Sequence, residues 1–138
     1  MNPTLLTTVL ISSITVFAKA APIPLPAIPG RVMDITRYGA TPDSSAPSTK
    51  AIQQAIDAAS QAGGGRVLIP AGKFLSGPLT LASNIDLHLA KGATLAMSTD
   101  PADFPVLNDR RTCFITAQKA HDVRLSGEGT IDGQGESW

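Results

Sequence analysis

The sequence predicts a mostly β protein built as a parallel β-solenoid, with one α-helix covering its first turn. Three observations lead to this fold class. A single helical pattern lies near residues 49–62, and from Arg66 onward the apolar residues come in runs of three to five that end at Gly, Pro or Asn. The apolar pattern of residues 79–95 also recurs at residues 115–131, a shift of 36. Because one such unit cannot bury its apolar edge alone, the units must stack.

The repeat consists of two units of three short strands, separated by a loop from Met97 to Arg111 that carries Pro and Asp. The shift of 36 places these residues on identical partners: Thr80 on Thr116, Asp86 on Asp122 and Thr94 on Thr130. The matched apolar residues between them predict inward-facing columns of Leu, Ile and Val.

The predicted helix begins at Ser48 or Thr49, either of which can cap it, and ends at the run Gly63–Gly65. Its apolar side is one narrow stripe: Ala51, Ile52, Ala55, Ile56 and Ala59. Such a stripe suits a helix that lies on a flat surface. We expect it to cover the first turn of the solenoid, where an open strand edge would invite aggregation.

The first twenty residues are predicted to be a signal peptide. A thirteen-residue apolar stretch, Leu5–Phe17, precedes an Ala-x-Ala pattern that fits cleavage between Ala20 and Ala21. Residues 1–4 contain no Lys or Arg, so an N-terminal element of the domain itself is the alternative. Export predicts a secreted or periplasmic location.

The rest of the chain divides into a Pro-rich spacer, residues 21–31, and one β domain, residues 32–138. Four prolines in the spacer fix its backbone and predict an extended segment. The formal net charge is zero and aromatic residues make up 4%, which excludes the basic, base-stacking surface of a nucleic-acid-binding protein. No membrane span is expected after signal removal, because the apolar stretch is shorter than the roughly 20 residues that a bilayer requires.

Cys113 is the single cysteine, so neither an intramolecular disulfide nor a Cys-rich zinc site can form. Its neighbours between Thr112 and Ile115 predict a strand, in which Cys113 would be a small buried residue. His88 and His121 are isolated, without a second ligand at metal spacing. The sequence therefore predicts no metal and no cofactor, and no oligomeric state follows from it.

Several strings occur in a characteristic order: Tyr38–Ala40, Ala51–Asp57, Gly63–Gly72, Ser76–Leu79, Ser83–Leu89, Lys91–Leu95 and the closing Gly127–Trp138. Together they resemble the entry segment of the pectin-degrading β-helix superfamily. The closing GEGTIDGQGESW is similar to the GxGTIDGxGxxWW segment of its polygalacturonase branch. The resemblance covers residues 32–138. The loop Thr41–Ser48 departs from the family, which has an Asp-rich stretch where this chain keeps only Asp43.

The resemblance implies a right-handed parallel β-helix with an N-terminal capping helix, which hydrolyses galacturonan or a related pectic polymer by inversion without a metal. Inversion requires two carboxyl groups about 6.5–9.5 Å apart, which leaves room for the attacking water. In the family these acids come from Asn-Thr-Asp and Asp-Asp motifs, supported by Gly-His-Gly and Arg-Ile-Lys. None of the four strings occurs here. We therefore expect the N-terminal turns of such a glycosidase only, truncated before the catalytic motifs and inactive alone.

Two groups of acids remain as candidates for catalysis: Asp100, Asp103 and Asp109 in one loop, and Glu128, Asp132 and Glu136 among glycines. We interpret the first group as turn residues, because Asp before Pro bonds to its own backbone. Tight corners between strands account for the second group, with contact to a glycan as the alternative. The pair Arg110–Arg111 is interpreted as solvated, with binding of an anionic pectate chain as the alternative. No catalytic, cofactor or metal residue is assigned.

Two functions are consistent with these patterns. The first is the N-terminal portion of a secreted polygalacturonase-like glycosidase, whose partner would be an acidic polysaccharide, pectin or polygalacturonate. The second is a non-catalytic β-solenoid module that binds carbohydrate or serves in assembly, which rests on analogy of fold alone.

Overall fold

The computed structural model describes residues 22–43 and 45–138, so the predicted signal peptide lies outside the described residues. The described chain contains one α-helix, α1 (Thr49–Gln61), and eleven short strands. The strands are β1 (Val32–Asp34), β2 (Gly65–Ile69), β3 (Gly72–Ser76), β4 (Leu79–Thr80), β5 (Ile85–Leu89), β6 (Ala93–Met97), β7 (Val106–Leu107), β8 (Arg110–Arg111), β9 (Ile115–Thr116), β10 (Arg124–Gly127) and β11 (Thr130–Asp132). None of its helices is both long and apolar enough to cross a membrane.

Three parallel sheets run along the molecule, and each turn of the chain contributes to them in sequence. The first sheet has the order β1-β2-β5-β10, the second β3-β6-β11 and the third β4-β9. The strands β7 and β8 form an antiparallel hairpin in the loop between the second and third turns. This arrangement confirms the predicted parallel β-solenoid.

The core lies inside the coil, where alternate residues of the strands form stacked apolar columns. Its fully buried strand residues include Val67, Ile69, Phe74, Leu79, Ile85, Leu87 and Leu95. Burial of each such side chain contributes about 1.5–3 kcal/mol. In the third turn the corresponding Leu125 and Ile131 are 52% and 41% exposed. The inward columns are thus covered in the first two turns and open at the third.

The stacking of the third turn on the second differs in part from the predicted repeat. The pairs β4–β9 and β6–β11 have the expected sequence separation of 36. The pair β5–β10 has a separation of 38, so Arg124 rather than Asp122 lies opposite Asp86. The predicted match of Asp86 with Asp122 is therefore wrong. A slip of two residues keeps every side chain on its own face of the sheet, so the apolar columns survive.

The chain is two residues longer between β9 and β10 than between β4 and β5, and it is two residues shorter at the corner after β10 than at the corner after β5. Gly127, with φ of 102°, lies directly opposite Leu89 in the sheet. A Cβ at position 127 would come within 1.9 Å of the Leu89 carbonyl oxygen. Glycine is therefore required for the close approach that lets the chain turn early into β11.

The helix α1 lies over the first turn of the solenoid and buries the predicted stripe of Ala and Ile residues. It begins at Thr49 with Ser48 as the N-cap residue, as predicted, but Ser48 makes no side-chain hydrogen bond to the helix N-terminus. The hydroxyl of Thr49 instead accepts a hydrogen bond from the Gly77 backbone N–H at 2.7 Å. Thr49 therefore ties the helix to the turn before β4.

Gln53 of α1 occupies the free edge of β4. Its Nε2 donates to the Thr80 carbonyl oxygen at 3.0 Å, and its Oε1 accepts from the Thr80 N–H at 3.0 Å. A neighbouring strand would satisfy the same two groups. The covering helix thus closes this strand edge with one side chain.

Cys113 is exposed, so the prediction of a buried thiol is wrong. The strand predicted around it is reduced to β9, which begins at Ile115. Cys113 lies between the β7–β8 hairpin and β9, where the chain has not yet joined a sheet and the alternation of buried and exposed residues does not apply.

Candidate functional site

A groove of about 480 Å³ runs along the outer side of the third sheet, beside the β7–β8 hairpin. Its lining is mainly polar: Thr80, Leu107, Asn108, Arg110, Arg111, Thr112, Cys113, Thr116 and Gln118. The groove brings together the predicted basic pair and the repeated threonines. Arg110, the first arginine of the pair, lies 30 residues after Thr80 in the sequence. We take it as the candidate functional site.

The floor of the groove is a pair of threonines from successive turns. Thr80 and Thr116 are aligned in the β4–β9 register, with their Oγ1 atoms 3.4 Å apart. Their strand neighbours Leu79 and Ile115 pack into the core, so the threonines point outward by the two-residue period of a strand. The floor therefore offers hydroxyl groups that can both donate and accept hydrogen bonds.

The two arginines of the hairpin differ in their contacts. Arg111 donates from Nη1 to the carbonyl oxygens of Pro101 and Phe104 at 3.3 and 3.4 Å. Its Cζ lies 5.3 Å from the centroid of the Trp138 ring, a cation–π contact. Arg110 is exposed and, within residues 22–43 and 45–138, its guanidinium has no hydrogen bond or ion pair. Arg111 thus holds the hairpin in place, while Arg110 is available to a ligand.

Phe104 anchors the loop that carries the hairpin. Its side chain is 1% exposed and makes edge-to-face contacts with Phe114 at 6.4 Å and Trp138 at 5.5 Å. Thr112 closes the other end of the loop, because its N–H and its hydroxyl both donate to the Pro105 carbonyl oxygen, at 3.0 and 2.6 Å. The rim of the groove is therefore held by packing and hydrogen bonds on both sides.

The loop acids stand in turns. Asp100 accepts from the Ala102 N–H at 2.9 Å, and Asp103 accepts from the Ser98 hydroxyl. Asn108 and Asp109, with φ of 52° and 60°, form the turn between β7 and β8. This is the turn chemistry expected of Asp100, and none of the three acids lines the groove.

The acids near the end of the chain also lie away from the groove. Asp132 accepts from the Gln134 N–H at 2.9 Å, and together with Glu136 it borders a separate depression. Glu128 is exposed at the corner after β10. None of these candidate acids lines the groove, and the groove contains no carboxylate.

The two histidines have different partners. The Nδ1 of His88 lies 2.8 Å from the Ser126 hydroxyl, and the Nδ1 of His121 lies 3.0 Å from a carboxylate oxygen of Asp122. In the part of the chain that the structure describes, no three His, Cys, Asp or Glu side chains are grouped as ligands for a metal ion.

A second polar cluster, on the outer face of the first sheet, was not predicted from the sequence. Asp86 is 1% exposed, and its Oδ2 accepts from Arg66 Nε and Arg124 Nη2, both at 2.8 Å. Its Oδ1 accepts from the Ser126 hydroxyl at 2.6 Å. Burial acts to raise the pKa of Asp86, but the hydrogen bonds from Arg124, Ser126 and Arg66 outweigh it and lower the pKa to about 2.

Comparison with known proteins gives relatives over most of this chain. It is 38% identical over 127 residues to the exo-poly-alpha-D-galacturonosidase of Dickeya chrysanthemi, an alignment that covers 79% of this chain and 20% of the relative. The structure of an exopolygalacturonase from Thermotoga maritima matches with a TM-score of 0.74 and 32% identity, over 80% of this chain and 27% of that protein. A family 28 exopolygalacturonase from Yersinia enterocolitica matches with a TM-score of 0.69 and 35% identity, over 76% and 21%.

The chain thus spans only about a fifth to a quarter of the length of these relatives. Residues 32–110 match the family described as rhamnogalacturonase A/epimerase, pectate lyase-like. This match begins at β1 and includes the covering helix, the first two turns of the solenoid and the β7–β8 hairpin up to Arg110. These findings confirm the resemblance drawn from the sequence, and the chain belongs to the rhamnogalacturonase A/epimerase, pectate lyase-like family.

Proposed function

We propose that this chain is the N-terminal portion of a secreted glycosidase that hydrolyses polygalacturonate or a related pectic polymer, and that its groove binds the polymer. The observation that carries the proposal is the unpaired Arg110 at the rim of a groove with a hydroxyl floor. The relatives named exo-poly-alpha-D-galacturonosidase and exopolygalacturonase support the choice of substrate.

The groove matches the chemistry of a polyuronate. Each sugar unit of such a polymer carries one carboxylate and free hydroxyl groups. A guanidinium binds a carboxylate with charge-assisted hydrogen bonds in a planar geometry, and Arg110 is free to do so. The hydroxyls of Thr80 and Thr116 and the amide of Gln118 can hydrogen-bond to sugar hydroxyls. A groove without a carboxylate of its own does not repel the chain.

Hydrolysis itself is assigned to residues outside this chain. Inverting glycosidases require a general acid and a general base about 6.5–9.5 Å apart, with water between them. Among the described residues, the loop acids Asp100 and Asp103 are engaged in turns and Asp86 is held between two arginines. We therefore expect the 138-residue chain to bind the polymer and to release no reducing ends. Release of reducing ends by this chain alone would contradict the assignment.

The substrate also bears on location. Pectic polymers are cell-wall polysaccharides, so we expect the enzyme to be exported, to the periplasm or beyond. The apolar stretch and Ala-x-Ala pattern of residues 5–20 supply the predicted export signal. Sequencing the N-terminus of the protein recovered from the culture medium or periplasm tests this, and Ala21 is the expected first residue.

The role of the groove is tested by Arg110→Gln in the full-length protein. We expect the KM for polygalacturonate to rise about fivefold at low salt with kcat unchanged, because an exposed charge-assisted contact that is equal in ground and transition states is lost. The difference should shrink as salt is added. Arg37→Gln is the matched control, since Arg37 is exposed and lies outside the groove. An unchanged KM, or an equal rise in the control, would refute the assignment of the groove.

The non-catalytic module is the second candidate, because no Asp or Glu among the described residues lines the groove. The two functions differ in one measurement on the full-length protein. Release of reducing ends from polygalacturonate supports the glycosidase. Saturable binding without release supports the module.

A further inference from the structure

The outer face of the first sheet carries a column of four side chains, one from each strand. The register aligns Val32 of β1 with Arg66 of β2, Arg66 with Asp86 of β5, and Asp86 with Arg124 of β10. Neighbouring strands in a sheet are about 4.8 Å apart, so the side chains of Arg66 and Arg124 can both hydrogen-bond to Asp86 between them. This arginine column is on a different sheet from the proposed polymer groove.

The hydrogen bonds in the arginine column leave positive charge and donors in excess. Asp86 accepts three hydrogen bonds, two at Oδ2 from the guanidinium groups and one at Oδ1 from the Ser126 hydroxyl. Each arginine reaches Asp86 through a single nitrogen, Nε of Arg66 and Nη2 of Arg124. Two cations share one anion, so the net charge of the three groups is +1.

One of these donors is buried without an acceptor. The Nε of Arg124 is shielded from solvent and has no hydrogen-bond partner among the described residues. A buried N–H without an acceptor costs about 1–3 kcal/mol, so such groups are rare in folded proteins unless a water or an ion satisfies them. The unpaired Nε therefore shows that Asp86 does not satisfy all the donors of Arg124.

A cavity of about 180 Å³ adjoins the arginine column. Its polar wall is formed by the column itself, and its other wall by the end of the Pro-rich segment: Ile28, Pro29 and Gly30, with Val32. The side chains of Arg66 and Arg124 are 39% and 36% exposed, so both can be reached from the cavity. A small apolar-walled cavity with two guanidinium groups on one side is suited to a planar anion.

We propose that this cavity binds a carboxylate group, carried by a free organic acid or by a single uronate unit. The carboxylate would accept from the exposed guanidinium nitrogens of Arg66 and Arg124 and would balance the excess charge of the column. The volume accommodates one such group and its attached carbons rather than a polymer chain. Binding here does not depend on hydrolysis or on Arg110, so it can be tested independently of the proposed function.

The test follows the arginine Nε–H signals of the full-length protein by NMR during titration with sodium acetate, sodium galacturonate and neutral galactose. The Arg124 signal is assigned by its loss in Arg124→Lys. We expect acetate and galacturonate to shift it saturably and galactose to leave it unmoved. Tighter binding of galacturonate than of acetate would identify the uronate as the source, and equal affinity would identify the carboxylate alone. No saturable shift, or an equal shift with galactose, overturns the proposal.

A variant pair at Val32 avoids disturbing the arginine column itself. Val32 is 50% exposed on the edge strand and lies opposite Arg66, so Val32→Glu places an internal carboxylate at the cavity. We expect this variant to bind acetate about tenfold more weakly or worse, since its own carboxylate competes for the guanidinium groups. Val32→Gln is the control of the same size as Val32→Glu without its charge, and it should bind acetate more tightly than Val32→Glu does. Equal affinity of the two variants would also overturn the proposal.

Discussion

The two outer faces of this solenoid use arginine in opposite ways. On the first sheet, Arg66 and Arg124 come from successive turns and share the buried carboxylate of Asp86. On the third sheet, the floor is a neutral pair of threonines, and Arg110 on the adjacent hairpin has no partner among the described residues. A carboxylate between turns ties Arg66 and Arg124 to the stack, whereas the whole guanidinium of Arg110 is left for a ligand.

The largest effect is expected from removing the shared carboxylate. Asp86→Ala leaves two guanidinium groups without their shared acceptor and the Ser126 hydroxyl with His88 as its remaining partner. Breaking a buried ion pair costs about 3–5 kcal/mol, and the lower end is expected here because both arginines are partly exposed. Urea unfolding of the full-length protein measures the loss.

Glu128→Ala is the control for this substitution, since Glu128 is exposed at the corner after β10. We expect a change in the free energy of unfolding below about 0.5 kcal/mol. A loss under about 1 kcal/mol in Asp86→Ala would show that the first sheet does not depend on its charges, and the contrast between the two faces would disappear.

The pH dependence of stability gives the next largest effect. The pKa of Asp86 is lowered to about 2 in the folded protein from an ordinary value of 3.8. Because the folded pKa is depressed, the stabilisation is complete above the unfolded value and is lost as the pH falls from about 4 towards 2. The pKa difference corresponds to about 2 kcal/mol. Thermal unfolding between pH 5 and pH 2 should show this loss in the native protein, and a smaller loss in Asp86→Asn.

The same comparison explains what the sequence could predict. Apolar periodicity and the shift of 36 were sufficient for the solenoid, because Leu, Ile and Val must point inward whatever the exact stacking. They were not sufficient for the charge pairs, because a slip of two residues leaves the apolar columns intact while it replaces Asp122 by Arg124 opposite Asp86. The two glycines Gly127 and Gly129 were the available signal, since a Cβ at either position would clash with the preceding turn at this early corner into β11.

The candidate site was predictable only in its parts. The basic pair was seen in the sequence, but its division into a structural Arg111 and a free Arg110 depends on Trp138 and on carbonyl groups of the loop. Loop carbonyls and ring stacking have no periodic sequence signal. The exposure of Cys113 was missed for a related reason, because a strand pattern was extended into residues that have no sheet neighbour.

The smallest effect concerns the strand beneath the groove, whose edge is closed by an amide rather than by charge. Gln53→Ala removes both hydrogen bonds to Thr80, at 3.0 Å each. Thr80 is exposed, so water can replace the lost partner, and we expect a loss of about 1 kcal/mol. Hydrogen exchange should also show the Thr80 amide less protected, since its acceptor is gone.

Gln54→Ala is the matched control on the same helix, because the Gln54 side chain is exposed and makes no hydrogen bond among the described residues. It should leave the Thr80 amide protected. Gln53→Glu separates the two bonds, because the carboxylate still accepts from the Thr80 N–H but cannot donate to the Thr80 carbonyl oxygen. Retained amide protection in Gln53→Glu would show that Gln53 acts as a strand partner, whereas the stability of this variant also reflects the Asp57 carboxylate, to which the native amide donates at 3.0 Å. Full stability in Gln53→Ala would mean that α1 covers the first turn by apolar packing alone. Water would then satisfy the Thr80 N–H and carbonyl oxygen as well as Gln53 does.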